Sequence, residues 1–368
     1  MTQKVYLGDI CDIRIGRTPP RKQPQWFSSS HGMKWVSIKD MGNTGKYISQ
    51  TNELLTMDAI SKFNIPIIPA GTLLMSFKLT VGRLGFTKYD MCSNEAIAQL
   101  PIKDVNVADK DYLYYYLSNF NFDSLSSTSS IATAVNSKTV KNIPIDLPLL
   151  DQQKKIADIL SSLDEKIELN RRMNETLEQL GQALFRHYFV DNPERGGWEK
   201  RSLGEFFPIK TGKKDANFGT KDGKFPFFTC AQTVSHAPSY SFDGSAILVA
   251  GNGDFNIKHY TGRFEAYQRT YVLIPHNEEL LGFLYFLMKK DLSLITGGSR
   301  GSVIKFITKG MIENYRVELP DDNDLAAFAP MFSELLTLMS RNNEQIYNLA
   351  TLRDTLLPQL MSGKVEVK

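Results

Sequence analysis

Two stretches of the chain repeat apolar residues at alternating steps of three and four, the pattern that places one narrow stripe along a helix. From Ile156 the stripe runs through Leu160, Leu163, Ile167, Asn170, Asn174, Leu177, Gly181 and Leu184. From Phe328 it runs through Phe332, Leu335, Met339, Asn342, Ile346, Leu349, Arg353 and Leu356. Both predict heptad helices, over about 151–190 and 322–361, and about forty residues at 1.5 Å each make a rod of roughly 60 Å. Asparagine interrupts both stripes at the same place, at Asn170 and Asn342, where a buried amide pair can set helix register. Two amphipathic helices lying on the cores of their own domains are the plainer alternative, against which stands the narrowness and length of the stripe.

The helices belong to a repeat. Residues 142–185 align with 314–357 without a gap at an offset of 172, which pairs Ile143-Pro144-Ile145-Asp146-Leu147-Pro148 with Tyr315-Arg316-Val317-Glu318-Leu319-Pro320. Upstream, Leu7-Gly8-Asp9, Ile13 and Gly16-Arg17 recur as Leu203-Gly204-Glu205, Ile209 and Gly212-Lys213 at an offset of 196, so the first copy is longer by 24 residues between its anchors. Segment 70–74 resembles 243–248, and 112–115 resembles 282–286. Short β-prone runs bounded by Gly, Asn and Ser predict strands at 35–38, 72–77, 97–102, 225–229, 246–250 and 270–274, with one compact helix per copy near 111–118 and 278–289. Strands that run together instead of alternating with helices indicate an α+β fold. The expected architecture is two globular modules in pseudo-twofold arrangement, separated by two long antiparallel coiled-coil helices. The expected boundaries are 1–150 for the first module, 151–195 for the first helix, 196–321 for the second module, 322–361 for the second helix and 362–368 for a tail.

Composition changes this picture only when it is located. The 368 residues are 42% hydrophobic and 23% charged, as in globular proteins, with a net charge of +3. Residues 151–190 carry −1 and residues 321–361 carry −4, which leaves +8 for the rest. That asymmetry favours an anionic partner for the modules and a protein partner for the helices. Cys11, Cys92 and Cys230 lie far apart, which excludes a disulfide scaffold and points to a reducing compartment, the cytoplasm. The first six residues lack the apolar core of a signal peptide. The longest oily run, 280–288, is too short to cross a bilayer, so no membrane association is expected. Five scattered histidines offer no zinc spacing, so no metal site is expected.

Basic residues of the modules fall in glycine- and aromatic-bearing stretches read as loops. Candidates for nucleic-acid contact are Arg17, Arg21, Lys22, Lys39, Lys78 and Arg83 in the first module, and Lys213, Lys214, Gln232, Asn252, Lys258, Arg263, Arg300 and Lys305 in the second. Phosphates need only charge and donors, whereas base edges need the fork of Arg or the paired donor and acceptor of Asn and Gln. Arg83, Gln232, Asn252, Asn256, Arg263 and Arg300 have that chemistry; solvated surface is the competing reading for each one alone. Segments 124–130 and 296–302, rich in hydroxyl and glycine residues, precede the closing strand of each module and either bring backbone amides to phosphate or form ordinary turns. Helix pairing is expected through Leu160, Leu163, Ile167, Asn170, Leu177 and Leu184 against Phe332, Leu335, Met339, Asn342, Leu349 and Leu356. No catalytic residue is expected. The one Pro-Pro, Pro19-Pro20, lacks an adenine methyltransferase context, Asp222-Gly223-Lys224 and Glu366-Val367-Lys368 lack an upstream Pro-Asp, and Gly251-Asn252-Gly253 lacks the third glycine of a dinucleotide loop.

The run Ile143-Pro144-Ile145-Asp146-Leu147-Pro148-Leu149-Leu150-Asp151-Gln152-Gln153-Lys154-Lys155-Ile156-Ala157 resembles the passage from a recognition domain into a spacer helix in the specificity subunits of type I restriction-modification systems. The resemblance covers the whole chain. Leu149 stands where a second proline is common, and the second copy keeps Val317-Glu318-Leu319-Pro320 but has Asp324-Leu325-Ala326-Ala327-Phe328 where the first has Gln-Gln-x-x-Ile. The resemblance implies a non-catalytic subunit with two target recognition domains, each reading one half of a bipartite, asymmetric double-stranded DNA sequence. It implies antiparallel helices that dock two modification (methyltransferase) subunits and set the spacer, and a larger complex with ATP-dependent restriction subunits. S-adenosylmethionine and ATP would bind those partners, and no cofactor this chain. Two rival readings stand beside it: a coiled-coil structural adaptor that binds protein or polyanion partners, and a stand-alone nuclease or methyltransferase.

Overall fold

The computed structural model describes residues 2–42, 45–126, 136–253, 255–297 and 306–367. It forms two compact units, one of Met1–Glu168 with Tyr347–Lys368 and one of Leu169–Ile346. In the first, strand β1 (Gln3–Tyr6) pairs antiparallel with β11 (Pro144–Leu147), Gln3 opposite Leu147. A five-stranded sheet has the order β2 (Arg14–Ile15), β10 (Ile97–Gln99), β7 (Leu73–Ser76), β8 (Leu84–Thr87) and β5 (Tyr47–Ile48). A four-stranded sheet has the order β3 (Phe27–Ser28), β6 (Glu53–Leu55), β4 (Met33–Val36) and β9 (Cys92–Ser93). Four short helices, α1 (Leu7–Ile10), α2 (Ile38–Met41), α3 (Met57–Lys62) and α5 (Ser137–Lys141), punctuate the connections, and α4 (Lys110–Ser118) covers one sheet face. Side chains alternate along β7. Leu73 and Met75 share a core with Tyr112, Leu113 and Tyr115 of α4, while Leu74 enters a second core with Val36, Ile48 and Ile97. Both faces are covered, which is why β7 reads as an unbroken apolar run.

The second unit repeats the plan. Strand β12 (Glu199–Ser202) pairs with β19 (Arg316–Leu319), Glu199 opposite Leu319. One six-stranded sheet has the order β13 (Ile209–Thr211), β18 (Thr270–Leu273), β16 (Phe242–Ala250), β17 (Ile257–Ala266), β14 (Phe225–Phe228) and β15 (Ser235–Ala237). Ile247, Val249 and Leu273 pack with Phe283 and Phe286 of α7 (Leu281–Ile295), and the opposite face packs Leu248, Val272, Phe228 and Phe264 together. The offsets read from the sequence reappear as bonds. Leu7 N–H donates to Ile143 O at 2.8 Å and Leu203 N–H to Tyr315 O at 2.9 Å, and α5 recurs as α8 (Lys309–Glu313) 172 residues on. The fold is α+β, as expected. Two expectations are corrected: the stretch holding Lys258, His259 and Arg263 is not a loop but the ten-residue strand β17, paired along β16 from Val249↔Ile257 to Phe242↔Phe264, and Lys39 lies not in a loop but in the short helix α2. The polar side chains of β17 and the internal Gly262 hide the strand signal.

The long helices are α6 (Leu150–Phe185), which runs on into a π turn at Arg186–Val190, and α9 (Asp322–Met361). Each supplies residues to both units. In the first unit Ile156, Ala157 and Leu160 of α6 and Leu356 and Leu360 of α9 pack into the core under α4, and Asp164 accepts from Tyr115 Oη at 2.6 Å while pairing with Arg353 at 2.7 Å. In the second unit Leu177, Leu184 and Phe185 join Phe332, Leu335 and Met339 beneath α7. Ile167, Asn170 and Asn342 are buried, and Leu163 and Leu349 half-buried. The stripe is therefore helix seam and domain core at once.

Within the second unit α6 and α9 run antiparallel. Asn170 Nδ2 donates to Gln345 Oε1 at 3.0 Å, Asn174 Nδ2 to Asn343 Oδ1 at 2.8 Å, and Asn342 Nδ2 to Asn174 Oδ1 at 2.9 Å. Asn170 and Asn342 are both buried but are not bonded to each other. The antiparallel register staggers the two repeat positions, and each amide takes a neighbour of the other as its partner.

The start of α6 shows what the Gln-Gln stretch does. Gln153, fully buried, accepts from Asp109 N–H at 2.8 Å and donates to Val107 O at 3.0 Å and Pro148 O at 2.8 Å. Its repeat equivalent, Leu325, is buried in apolar surroundings, so one amide cluster is replaced by plain packing. Gln153→Ala should destabilise the first unit by about 2–4 kcal/mol, because it orphans a buried N–H and opens a cavity. Urea denaturation followed by the fluorescence of Trp26 and Trp35 measures this; a loss under about 1 kcal/mol would refute the assignment.

Candidate functional site

In each unit, hydrogen bonds between segments distant in sequence gather the same set of loops. In the first unit Arg17 N–H donates to Ser93 O at 2.9 Å, Phe77 N–H to Ala96 O at 2.9 Å and Asn94 N–H to Val36 O at 3.0 Å. Thr18 bonds to Glu95, and Trp35 Nε1 donates to Arg17 O at 3.1 Å. In the second unit Lys213 N–H donates to Ala266 O at 3.1 Å, Gly251 N–H to Arg269 O at 2.9 Å and Gln268 N–H to Lys214 O at 2.9 Å.

One side-chain strut recurs. Arg83 Nη1 donates to Ile38 O at 2.8 Å, and Asn256 Nδ2 donates to Cys230 O at 3.0 Å. Arg83 and Asn256 close equivalent hairpins, since Ser76 N–H donates to Arg83 O at 2.9 Å and Ala250 N–H to Asn256 O at 3.0 Å. Ile38 and Cys230 both lie two residues past a strand, β4 and β14 respectively. The strut ties the segment after that strand, the start of α2 in the first unit and a loop in the second, to the β7–β8 or β16–β17 hairpin. With its guanidinium so engaged, Arg83 holds loops in place, and Asn256 does the same.

The clusters gather some candidates and leave others apart. Arg17, Lys39 and Lys78 belong to the first with Arg83, and Lys213, Lys214, Gln232, Asn252 and Lys258 belong to the second. Arg17 and Lys213 hold the same backbone position and are exposed, although the Arg17 guanidinium also reaches Phe63 O at 3.0 Å. Lys78 and Asn252 both follow the first residue of their hairpin loop, Lys78 exposed and Asn252 half-buried. Lys39, in the short helix α2, and Gln232, in the loop after β14, are exposed beside the strut. Lys214 lies 4.6 Å from the centroid of the Phe218 ring. Outside the bonded clusters, Arg21 is held by Glu53 at 2.8 Å and stacks on Phe27 and Trp35 at 4.5 and 4.6 Å, with Lys22 exposed beside it. Arg263 pairs with Asp243 at 3.2 Å beside the Tyr240 ring. Arg300 and Lys305 lie outside the described residues, as do 127–130 and 298–302 of the two small-residue segments.

Arg269, a basic residue near Lys258, His259 and Arg263 in the sequence, is exposed at the turn into β18, and its carbonyl also accepts from Cys230 Sγ at 3.5 Å. Its basic side chain was visible in the sequence, but nothing local marks the turn as part of the cluster. Lys258 has a strongly altered charge: Nζ donates to Ala231 O at 2.7 Å and bonds to Asn256 Oδ1. Burial among these loops lowers its pKa to about 8, with Lys289 adding to the effect and Cys230 opposing it. Among the described residues no group of three or more His, Cys, Asp or Glu is placed to hold a metal, and no helix is long and apolar enough to cross a membrane.

Comparison with known proteins places this geometry. The family described as the type I restriction modification DNA specificity domain matches residues 2–179 and again 195–348. The MjaIX specificity subunit of Methanocaldococcus jannaschii is 24% identical over 407 aligned positions, covering 98% of this chain and 93% of that protein. The EcoDI specificity subunit of Escherichia coli is 40% identical over 172 residues, 46% of this chain but only 38% of that protein. Among solved structures, the S subunit of a type I restriction-modification system from M. genitalium superposes with a TM-score of 0.58 at 17% identity, covering 98% of this chain and 96% of that one. That last likeness is one of fold.

The state of Lys258 is testable through stability. Between about pH 8 and the ordinary lysine value near 10.4 the unfolded chain holds the proton that the folded chain has released, so stability should rise with pH across that window. Thermal unfolding of the second unit from pH 7.5 to 9.5 should show the rise in the wild type and lose it in Lys258→Met. The same slope in both proteins would show that Lys258 titrates normally.

Proposed function

Because the chain belongs to the type I restriction-modification DNA specificity family and holds two copies of its domain, we propose that each unit reads one half of a bipartite, asymmetric target on double-stranded DNA. The observation that carries this reading is the strut-tied loop cluster, built twice on the same hydrogen bonds with different side chains displayed. Arg17 and Lys213, cations on equivalent backbone, suit phosphate, which every sequence offers. Where one cluster shows Lys39 and Lys78 the other shows Gln232 and Asn252, and those differences suit base readout, which must differ between two half-sites.

In this reading the chain is non-catalytic and works in the cytoplasm, and α6 and α9 dock two modification subunits and set the base pairs between half-sites. Ile159, Leu169, Met173 and Leu180 on α6 and Tyr347 and Leu352 on α9 are exposed apolar residues that support a protein partner for these helices. S-adenosylmethionine and ATP belong to the modification and restriction subunits.

Methylome mapping tests this directly. The chain should confer DNA methylation only together with a modification subunit, and exchanging residues 1–142 for those of a relative should change one half-site and leave the other intact. A chimera with both half-sites altered would contradict independent readers. Lys213→Ala in the complex should weaken specific and random duplexes alike and reduce the salt slope of log K by about one. Titrations at several salt concentrations decide, and a loss confined to the specific duplex would make Lys213 a base reader.

A further inference from the structure

The hairpin tips of the two clusters differ at one residue in a way the backbone makes conspicuous. Leu79 has φ +61° and Gly253 has φ +72°, and each stands two residues past the first residue of its loop, Phe77 and Gly251, whose amides bond to Ala96 and Arg269. The fold thus calls for left-handed backbone at the same place in both units. Glycine meets that demand freely, and leucine meets it under strain. Leu79 is also 95% exposed, the most exposed large apolar residue described. A strained backbone that spends itself on holding an aliphatic side chain in water is no stability device.

The loop is stiff. Ser76 Oγ donates to Thr80 O at 2.5 Å and accepts from Arg83 N–H at 3.0 Å, Gly82 N–H donates to Ser76 O at 2.8 Å, and Arg83 reaches across to Ile38 O. The Phe122 ring lies so close to Gly82 that a β-carbon there would meet it at 2.5 Å. The backbone that carries Leu79 is therefore held in place, beside Lys78, on a tip whose neighbours supply cations. Such preorganisation lets the side chain be buried at an interface with little further ordering cost.

We propose that Leu79 is a specificity-determining residue of the first unit: its side chain packs against the C5-methyl group of a thymine in the first half-site, the apolar group that a base edge offers in the major groove. The proposal rests on the reading of this unit as a DNA-binding domain. The second unit, with Gly253 at the equivalent place, has no such contact.

The test uses the full chain in complex with its modification subunits and a short duplex carrying the sequence that the wild-type complex methylates. Leu79→Gly relieves the strain and Leu79→Asn tolerates it, so neither should unfold the unit. Both should weaken binding to the specific duplex by about ten- to hundredfold, as expected for exposing a buried leucine, and leave random DNA unaffected. Replacing thymines of the first half-site by uracil one at a time should weaken the wild type at one position, and the variants should be indifferent to that replacement. Unchanged affinity, equal loss on random DNA, or a loss that persists on every uracil duplex would each overturn the proposal. A wild-type complex that fails to prefer the methylated sequence over random DNA would instead overturn the domain reading itself.

Discussion

The register between α6 and α9 is the constraint on which the rest depends. Buried amides are costly unless bonded, and the buried Asn170 and Asn342 each donate across the seam in one alignment of the helices, to Gln345 and Asn174, while Asn170 Oδ1 stays buried without a partner. Slipping one helix by a turn would part these pairs and cost the buried Asn170 and Asn342 their bonds. The same helices carry Leu160 and Leu360 into the core of the first unit and Phe185 and Phe332 into that of the second. A seam chosen by polar groups therefore also decides which apolar side chains each domain receives. This is why the stripe looked like a coiled coil although much of it serves as domain core.

Above that base, each unit separates the parts that must stay the same from those free to vary. The β1–β11 and β12–β19 ribbons keep identical register, and the strut survives an exchange of Arg83 for Asn256 because both side chains can donate to a carbonyl. Loops tied in this manner can change side chains without losing position. A reader of base edges needs this rigidity, since discrimination depends on donors held within tenths of an ångström. The difference between the units, a hairpin tip with Leu79 in one and Gly253 in the other, falls where the scaffold tolerates it.

Charge follows the same division. The acidic excess of the helices leaves the modules strongly basic, yet several of their cations are committed internally: Arg21 to Glu53, Arg83 to Ile38 and Lys46 to Asp111. The cations that remain outward, such as Lys39, Lys78 and Lys213, are fewer than composition suggests. Lys258, half-buried with its pKa lowered to about 8, stands between the two groups.

How far the sequence could be read follows from the range of the interactions involved. The two copies, the α+β class and the helix seam were legible because periodicity and a constant offset survive whatever the chain later touches. The Leu160 stripe and the Gly16-Arg17/Gly212-Lys213 recurrence correspond directly to packing and to backbone bonds. Strand β17 was not legible, because its partners are chosen by the sheet and its own residues are polar around a glycine. The Asn170–Asn342 pair was misjudged for the same reason: repeat position does not determine stagger in an antiparallel pair. The candidate site was legible as a list of basic and amide residues but not as a place. Bonds such as Arg83 to Ile38, 45 residues apart, and Asn256 to Cys230, 26 apart, decide which loops meet, and they leave no local pattern. Leu79 was silent in the sequence because a leucine in a loop looks like any core leucine until the fold exposes it.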